Sequence, residues 1–369
     1  MERLFNQFRF VFVKKTTCGE ECFETMLSNK LTNKVDVLKN QIVFFSYDYK
    51  NQLEQFNVKN NNPLQFPNTL FLEVEKVITI PISEFSNLSV KQKSITPIET
   101  TSKETYITTV NKLKEHIKKG DIYEINYCIT FEATDVEINP LELFNKLNAI
   151  SDAPYACLAK FDKQYVISSS PELYISKKGN TLITKPIKGT SKRGKTISED
   201  NELKINLQNS LKEKTENVMI VDVCRNDLSR IAKKGTVTVE KLFDIESYKQ
   251  VHQMVSTVKC ELQENASFTE IIDSTFPMAS MTGAPKIKAM QLIDEYELYN
   301  RGPYSGCVGY IDKKGDFELS VLIRSIFYDE EKHYLSFSVG SAITAMCNAE
   351  DEYEECLLKA KAMIQVLST

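Results

Sequence analysis

A chain of 369 residues, 42% apolar and 26% charged, has the makeup of a folded globular protein with enough length for one large domain or two ordinary ones. A formal net charge of -4 and a pI near 5.7 exclude a general attraction to nucleic acid or anionic membrane, and no local basic cluster reads as a phosphate-backbone track. No apolar run approaches the roughly 18 residues of a bilayer span, the N-terminus lacks the order of a secretory signal, and nine scattered cysteines with three histidines point to reduced thiols rather than zinc, so a soluble cytoplasmic protein is expected.

Residues 1–95 alternate β-type runs (8–13, 41–47 and 70–77) with polar linkers such as Lys59-Asn60-Asn61-Asn62-Pro63, and carry no recognisable chemistry. A capping box, Thr101-Ser102-Lys103-Glu104, opens a helix whose Ile107, Val110, Leu113 and Ile117 share a face until Gly120 stops it. Gly120-Asp121-Ile122-Tyr123 turns into a strand rich in β-branched and aromatic residues. Pro140 then starts a helix through Ile150, and 155–175 reads as strands broken at Ser168-Ser169-Ser170-Pro171-Glu172.

A strand over 180–184 leads into Lys185-Pro186-Ile187-Lys188-Gly189-Thr190. Pro186 fixes its own φ and Gly189 accepts angles that other residues avoid, so Lys188 is expected on a stiff, shaped segment. An amine with a pKa of about 10.4 needs burial or neighbouring cations to become a nucleophile. Lys185, Lys192 and Arg193 are the cations at hand. Residues 198–217 read as one helix, with Leu203, Leu207 and Leu211 four apart, followed by an apolar run over 218–223. Strands are expected at 236–239 and 251–262, and a helix at 268–275. Thr282-Gly283-Ala284-Pro285-Lys286 reads as a loop before a helix to Tyr299; strands at 306–311, 318–329 and 333–339 and a final helix over 349–367 complete the chain. Strands in blocks, interspersed with helices, predict an α+β fold with largely antiparallel sheets.

Two helical segments carry glutamates three apart, Glu213 with Glu216 and Glu352 with Glu355, and that spacing puts each pair on one helix face. Either pair alone reads as a solvated surface. Facing one another, they could coexist around a cation, and oxygen ligands with retained waters suit Mg²⁺ holding an anionic substrate group. Lys359 would lie over the same face as Glu355.

Taken together, these residues resemble the chorismate-utilising enzymes, which include the large subunits of anthranilate synthase and aminodeoxychorismate synthase and the isochorismate and salicylate synthases. The resemblance runs from about Lys103 to the C-terminus through Gly120-Asp121-Ile122-Tyr123, Ser170-Pro171-Glu172-Leu173, Pro186-Ile187-Lys188-Gly189-Thr190, Glu216-Asn217, Arg225-Asn226-Asp227, Val255-Ser256-Thr257, Thr282-Gly283-Ala284-Pro285-Lys286, Tyr304-Ser305-Gly306, Ile323-Arg324 and Glu352-Tyr353-Glu354-Glu355, in family order. It implies large antiparallel sheets packed as a sandwich with helices outside. Residues 1–95 would form a strand-rich segment packed onto a chorismate-binding catalytic region, 96–369.

The resemblance also implies roles. Glu216 and Glu352 would be direct Mg²⁺ ligands, with Glu213 and Glu355 contributing directly or through water, and the metal would hold the ring carboxylate of chorismate. Arg324 and Tyr304, helped by the backbone at Gly340, would grip the other carboxylate; Thr190 and Ser280 would lie near the ring and Lys359 near the metal-side carboxylate. Glu172 matches the family's general acid. Lysine at position 188, where anthranilate- and isochorismate-forming members have alanine, resembles the aminodeoxychorismate synthase branch, in which it attacks C2 and ammonia then enters at C4. The lysine base of the isochorismate and salicylate synthases is matched to Ile125, and the family histidine before the Val-Ser-Thr segment to Gln253, with His252 expected on the opposite strand face. The implied partner is a separate glutamine amidotransferase subunit supplying ammonia. The alternatives are an anthranilate synthase component I, or a non-catalytic binding subunit of the same fold.

Overall fold

The computed structural model describes residues 2–17, 21–54, 56, 62–82, 93–249 and 251–369. Cys18 and most of the 59–63 linker lie outside the described residues.

Two ten-stranded antiparallel sheets pack face to face. The first runs, edge to edge, Gly283–Ala284, Glu124–Ala133, Tyr334–Thr344, Ser325–Asp329, Gln164–Ser170, Tyr155–Phe161, Phe10–Thr17, Glu21–Ser28 and Lys76–Pro81, with the tenth strand, Ile98–Glu99, also pairing Glu124–Ala133. The second runs Ile187–Lys192, Val251–Glu261, Thr181–Lys185, Leu173–Lys178, Phe317–Val321, Cys307–Ile311, Gln41–Phe45, Thr69–Glu73 and Lys30–Thr32, with the tenth strand, Thr238–Ser247, also pairing Val251–Glu261. Strands before residue 82 therefore close one end of both sheets.

Period-two alternation sorts the core. In the first sheet Val11, Val13, Ala156, Leu158 and Ile167 face helices Lys103–Lys118, Pro140–Ser151 and Ala349–Ser368, whereas Phe10, Phe12, Cys157, Ala159 and Val166 face the second sheet. In the second sheet Phe44 meets Phe161 of the first at 5.1 Å between ring centroids, while its neighbour Phe45 meets Phe268 of helix Phe268–Thr275 at 6.2 Å. Both sheets thus have a helix-covered outer face. This is the expected α+β sandwich. Phe276 and Met278 fill this core: Phe276 packs on Phe45, Tyr49 and Tyr174.

Local departures have simple causes. The helix cap at 102–105 is Ser102, which accepts from the Thr105 amide, one residue beyond the expected Thr101. The single helix expected over 198–217 is two, Ile197–Asn209 and Leu211–Ser229, because Ser210 adopts an extended conformation and its hydroxyl accepts from the Glu213 amide, starting a new helix. The apolar run 218–223 continues that second helix. Among the described residues, no helix is long and apolar enough to cross a membrane, and the eight described cysteines are all buried.

Candidate active site

Strand Ile187–Lys192 pairs with Val251–Glu261, and its register slips between Ile187 and Thr190. Gly189 occupies that slip at φ +88°, and a Cβ there would stand 2.8 Å from Glu213 Oε2. Glycine thus lets the strand bulge and lets helix Leu211–Ser229 approach it. The bulge turns Lys188 inward, 7% exposed, with its ammonium 2.5 Å from Glu124 Oε1 of the first sheet. This ion pair joins the two sheets at the end opposite the N-terminal strands.

Lys188 lines a cavity of about 90 Å³ together with Glu172, Thr190, Glu213, Glu216, Ser280, Tyr304, Arg324, Gly340, Glu355 and Lys359. The fold therefore gathers eleven of the twelve residues singled out in the sequence around one space, from both sheets and two helices. Glu352, the twelfth, is 1% exposed just outside it, held at 2.7 Å by Lys212. The cavity shares Pro171, Thr190, Glu213, Gln253, Arg324, Glu355 and Lys359 with a wider hollow of about 680 Å³.

Burial sets the charge states. Desolvation pushes the Glu172 carboxyl up to about 7 despite a 2.5 Å hydrogen bond from the Ser280 hydroxyl and the nearby Lys188 ammonium. It raises Glu213 as well, and pushes Glu216 up to about 8. Burial alone would lower Lys188, but the carboxylates of Glu124, Glu216 and Glu172 outweigh it and hold the amine above its ordinary value. The cations expected to lower it are elsewhere: Lys185 faces Glu246 at 3.7 Å, Arg193 is paired with Asp200 at 2.7 Å, and Lys192 lies on the wider hollow. Charge around the amine is acidic because the strand bulge turns it away from its basic sequence neighbours.

The glutamates stand on facing helices, parted between two ammonium groups. Lys212 lies 2.7 Å from Glu352 and 4.0 Å from Glu216, and Lys359 lies 2.6 Å from Glu355 while donating to the Gly340 carbonyl at 2.7 Å. Among the described residues, no three metal-ligating side chains are gathered closely enough to hold a metal as they stand. The donor set nonetheless suits a hard divalent cation: all oxygen, with the buried Glu216 Oε1 lacking a hydrogen-bond partner.

One assignment changes. Ile125 is fully buried against the helix layer, so it cannot stand where a base would act; the residue of that strand facing the second sheet is its neighbour Glu124. Alternation of Glu124, Asn126 and Cys128 against Ile125, Tyr127 and Ile129 was the available signal. Gln253 does line the cavity, while His252 points away to Asp200 at 3.0 Å and Ser247 at 2.8 Å. Other motif residues hold the walls together. Ser256 donates to Asn217 at 2.5 Å, and Lys286 joins Asp227 at 2.5 Å to the Thr275 and Pro277 carbonyls.

Residues 82–365 match the family described as chorismate binding enzyme. The chain belongs to this family. It is 38% identical over 289 residues to the chloroplastic aminodeoxychorismate synthase of Arabidopsis thaliana, covering 77% of this chain and 30% of that one. It is 30% identical over 361 residues to aminodeoxychorismate synthase component 1 of Bacillus subtilis, covering 88% and 76% respectively. Anthranilate synthase component 1 of Acetivibrio thermocellus is 36% identical over 281 residues, covering 75% and 56%. The chain thus spans about a third of the length of the plant relative and of the Streptomyces griseus aminodeoxychorismate synthase, 30% and 36%. Among solved structures, anthranilate synthase component I from Streptococcus pneumoniae superposes with a TM-score of 0.77 at 23% identity, covering 96% of this chain and 92% of that one. The menaquinone-specific isochorismate synthase of Escherichia coli gives 0.79 at 16%, covering 99% and 90%. These likenesses place the chorismate-binding fold in this chain.

Proposed function

We propose that this chain is the chorismate-aminating component of an aminodeoxychorismate synthase, converting chorismate and ammonia to 4-amino-4-deoxychorismate and water, on the way to 4-aminobenzoate and folate. The observation that carries the reading is Lys188: a buried amine opening onto the same small cavity as Glu172, a carboxyl held near neutrality. In this reading the free amine of Lys188 bonds to C2, both conjugated ring double bonds shift along the ring, and the C4–O bond breaks. Glu172 supplies the proton with which the C4 hydroxyl leaves as water, a task suited to an acid whose pKa lies near the working pH. Ammonia then bonds to C4, both double bonds shift back, and the C2–N bond to Lys188 breaks.

Arg324 and Tyr304 are the groups for the substrate's side-chain carboxylate, since Arg324 offers a planar guanidinium on the cavity wall. Thr190 and Ser280 border the ring, and Lys359 borders the carboxylate on the glutamate side. Glu213, Glu216, Glu352 and Glu355 would hold Mg²⁺, which when bound neutralises the ring carboxylate. A glutamine amidotransferase is the proposed ammonia source, and the cytoplasm the proposed compartment.

Anthranilate synthase is the second reading, favoured by relatives of similar identity bearing that name. Product identification with chorismate, Mg²⁺ and an ammonium salt separates them. A product that an aminodeoxychorismate lyase turns into 4-aminobenzoate, lost in Lys188→Ala, supports amination at C4. Direct release of 2-aminobenzoate overturns it, and no consumption of chorismate would leave a binding subunit.

A further inference from the structure

The Lys188 amine is needed free, yet the fold surrounds it with carboxylates that hold it protonated. Something within reach must take its proton when substrate arrives. Among the described residues, the one hydrogen-bond acceptor on Lys188 Nζ is Glu124 Oε1, at 2.5 Å. Glu124 is 0% exposed and, unlike Lys188, does not line the cavity, so the amine stands between this carboxylate and the substrate space. Its second oxygen, Oε2, has no hydrogen-bond partner. Glu124 is fully buried and Lys188 nearly so, and moving the proton across the 2.5 Å bond replaces two buried charges by two neutral groups, so the loss of mutual attraction is offset by the removal of a desolvation penalty.

We propose that Glu124 is the proton acceptor that frees Lys188 for attack, a role that rests on Lys188 being the nucleophile. The protons balance over one cycle. Lys188 ammonium passes a proton to Glu124, the resulting amine bonds to C2 as a secondary ammonium, and the C4 hydroxyl departs with the Glu172 proton as water. When ammonia bonds to C4, Lys188 leaves as a neutral amine and regains its proton from Glu124. The new C4 ammonium returns a proton to Glu172, which is thereby reset. The competing role for Glu124 is a strut, an ion pair that only fastens one sheet to the other.

Glu124→Gln separates the two. Glutamine still accepts the hydrogen bond from the ammonium but takes no proton, so ammonia-dependent amination is expected to fall by at least about 100-fold in kcat with KM for chorismate unchanged. The pH profile is the second readout. Wild-type kcat is expected to be level below about pH 7 and to fall above it as Glu172 ionises. In the variant, hydroxide must remove the lysine proton, so the rate climbs toward about pH 7 and is level beyond, where the loss of Glu172-H and the gain of free amine cancel. Glu124→Asp, which keeps a carboxylate, is expected to restore the wild-type profile; it also serves should the glutamine variant fail to fold, since an aspartate variant with a hydroxide-dependent profile overturns the proposal. A folded Glu124→Gln with kcat close to wild type, or with a lowered kcat and an unaltered profile, leaves Glu124 as a strut. Lys188→Ala run alongside keeps the failures apart: if it aminates C4 as wild type does, the nucleophile reading falls, whereas an inactive Lys188→Ala beside an active Glu124→Gln removes Glu124 alone.

Discussion

Gly189 and Glu213 stand so close that the lightest side chain on the former would meet the carboxylate of the latter, 2.8 Å from its Oε2. Gly189 directly follows Lys188, and Glu213 lies about one helical turn before Glu216, so the approach of strand and helix sets the distance between the amine and the acidic helix face. Gly189→Ala meets two penalties, a backbone at φ +88° and a collision with Glu213. The first alone costs about 1–2 kcal/mol. A lower Tm together with a loss of amination is the expected outcome, read by thermal denaturation and a product assay; a variant as stable and active as wild type would mean that the bulge does not aim Lys188.

Glu172 carries a pH signature of its own. Its folded value, about 7, lies above its ordinary 4.5, because burial disfavours the charged form. The sign for stability follows: its contribution is fully present below about 4.5 and is lost as pH rises through about 7. Glu172→Gln, a neutral mimic, is therefore expected to melt at or above the wild-type temperature at pH 8 while losing about 100- to 10,000-fold in kcat. A variant with wild-type kcat would remove Glu172 as the acid. One that is inactive but unfolded at pH 8 would contradict the burial argument.

Arg324 presents its guanidinium to the cavity, and a lysine there keeps the charge while losing the planar fork. Hydrogen bonds to charged groups contribute about 1.5–3 kcal/mol each, so Arg324→Lys is expected to raise KM for chorismate by about 10- to 100-fold with little change in Tm. Steady-state kinetics against chorismate measures this directly. An unchanged KM would place the substrate's side-chain carboxylate elsewhere.

Much of this protein was legible in one dimension. Period-two and helical patterns announced the strands and helices, and the chain-long succession of motifs, from Gly120-Asp121-Ile122-Tyr123 to the Glu352/Glu355 pair, announced both the family and the residues of the cavity, because each motif is local and carries its own residue types. What sequence could not supply were relationships between segments far apart. Glu124 sits 64 residues before Lys188, and only the packing of two sheets brings them to 2.5 Å. For the same reason the basic neighbours in the sequence, Lys185 and Arg193, proved irrelevant to the amine: a one-residue slip at Gly189 points Lys188 the other way, into a ring of acids. Ile125 was mistaken for its neighbour for an equally physical reason, since a strand changes face at every residue and the chain alone does not say which face is which. Local propensity decides elements; the charge state of a buried amine is decided by what the folded chain packs around it.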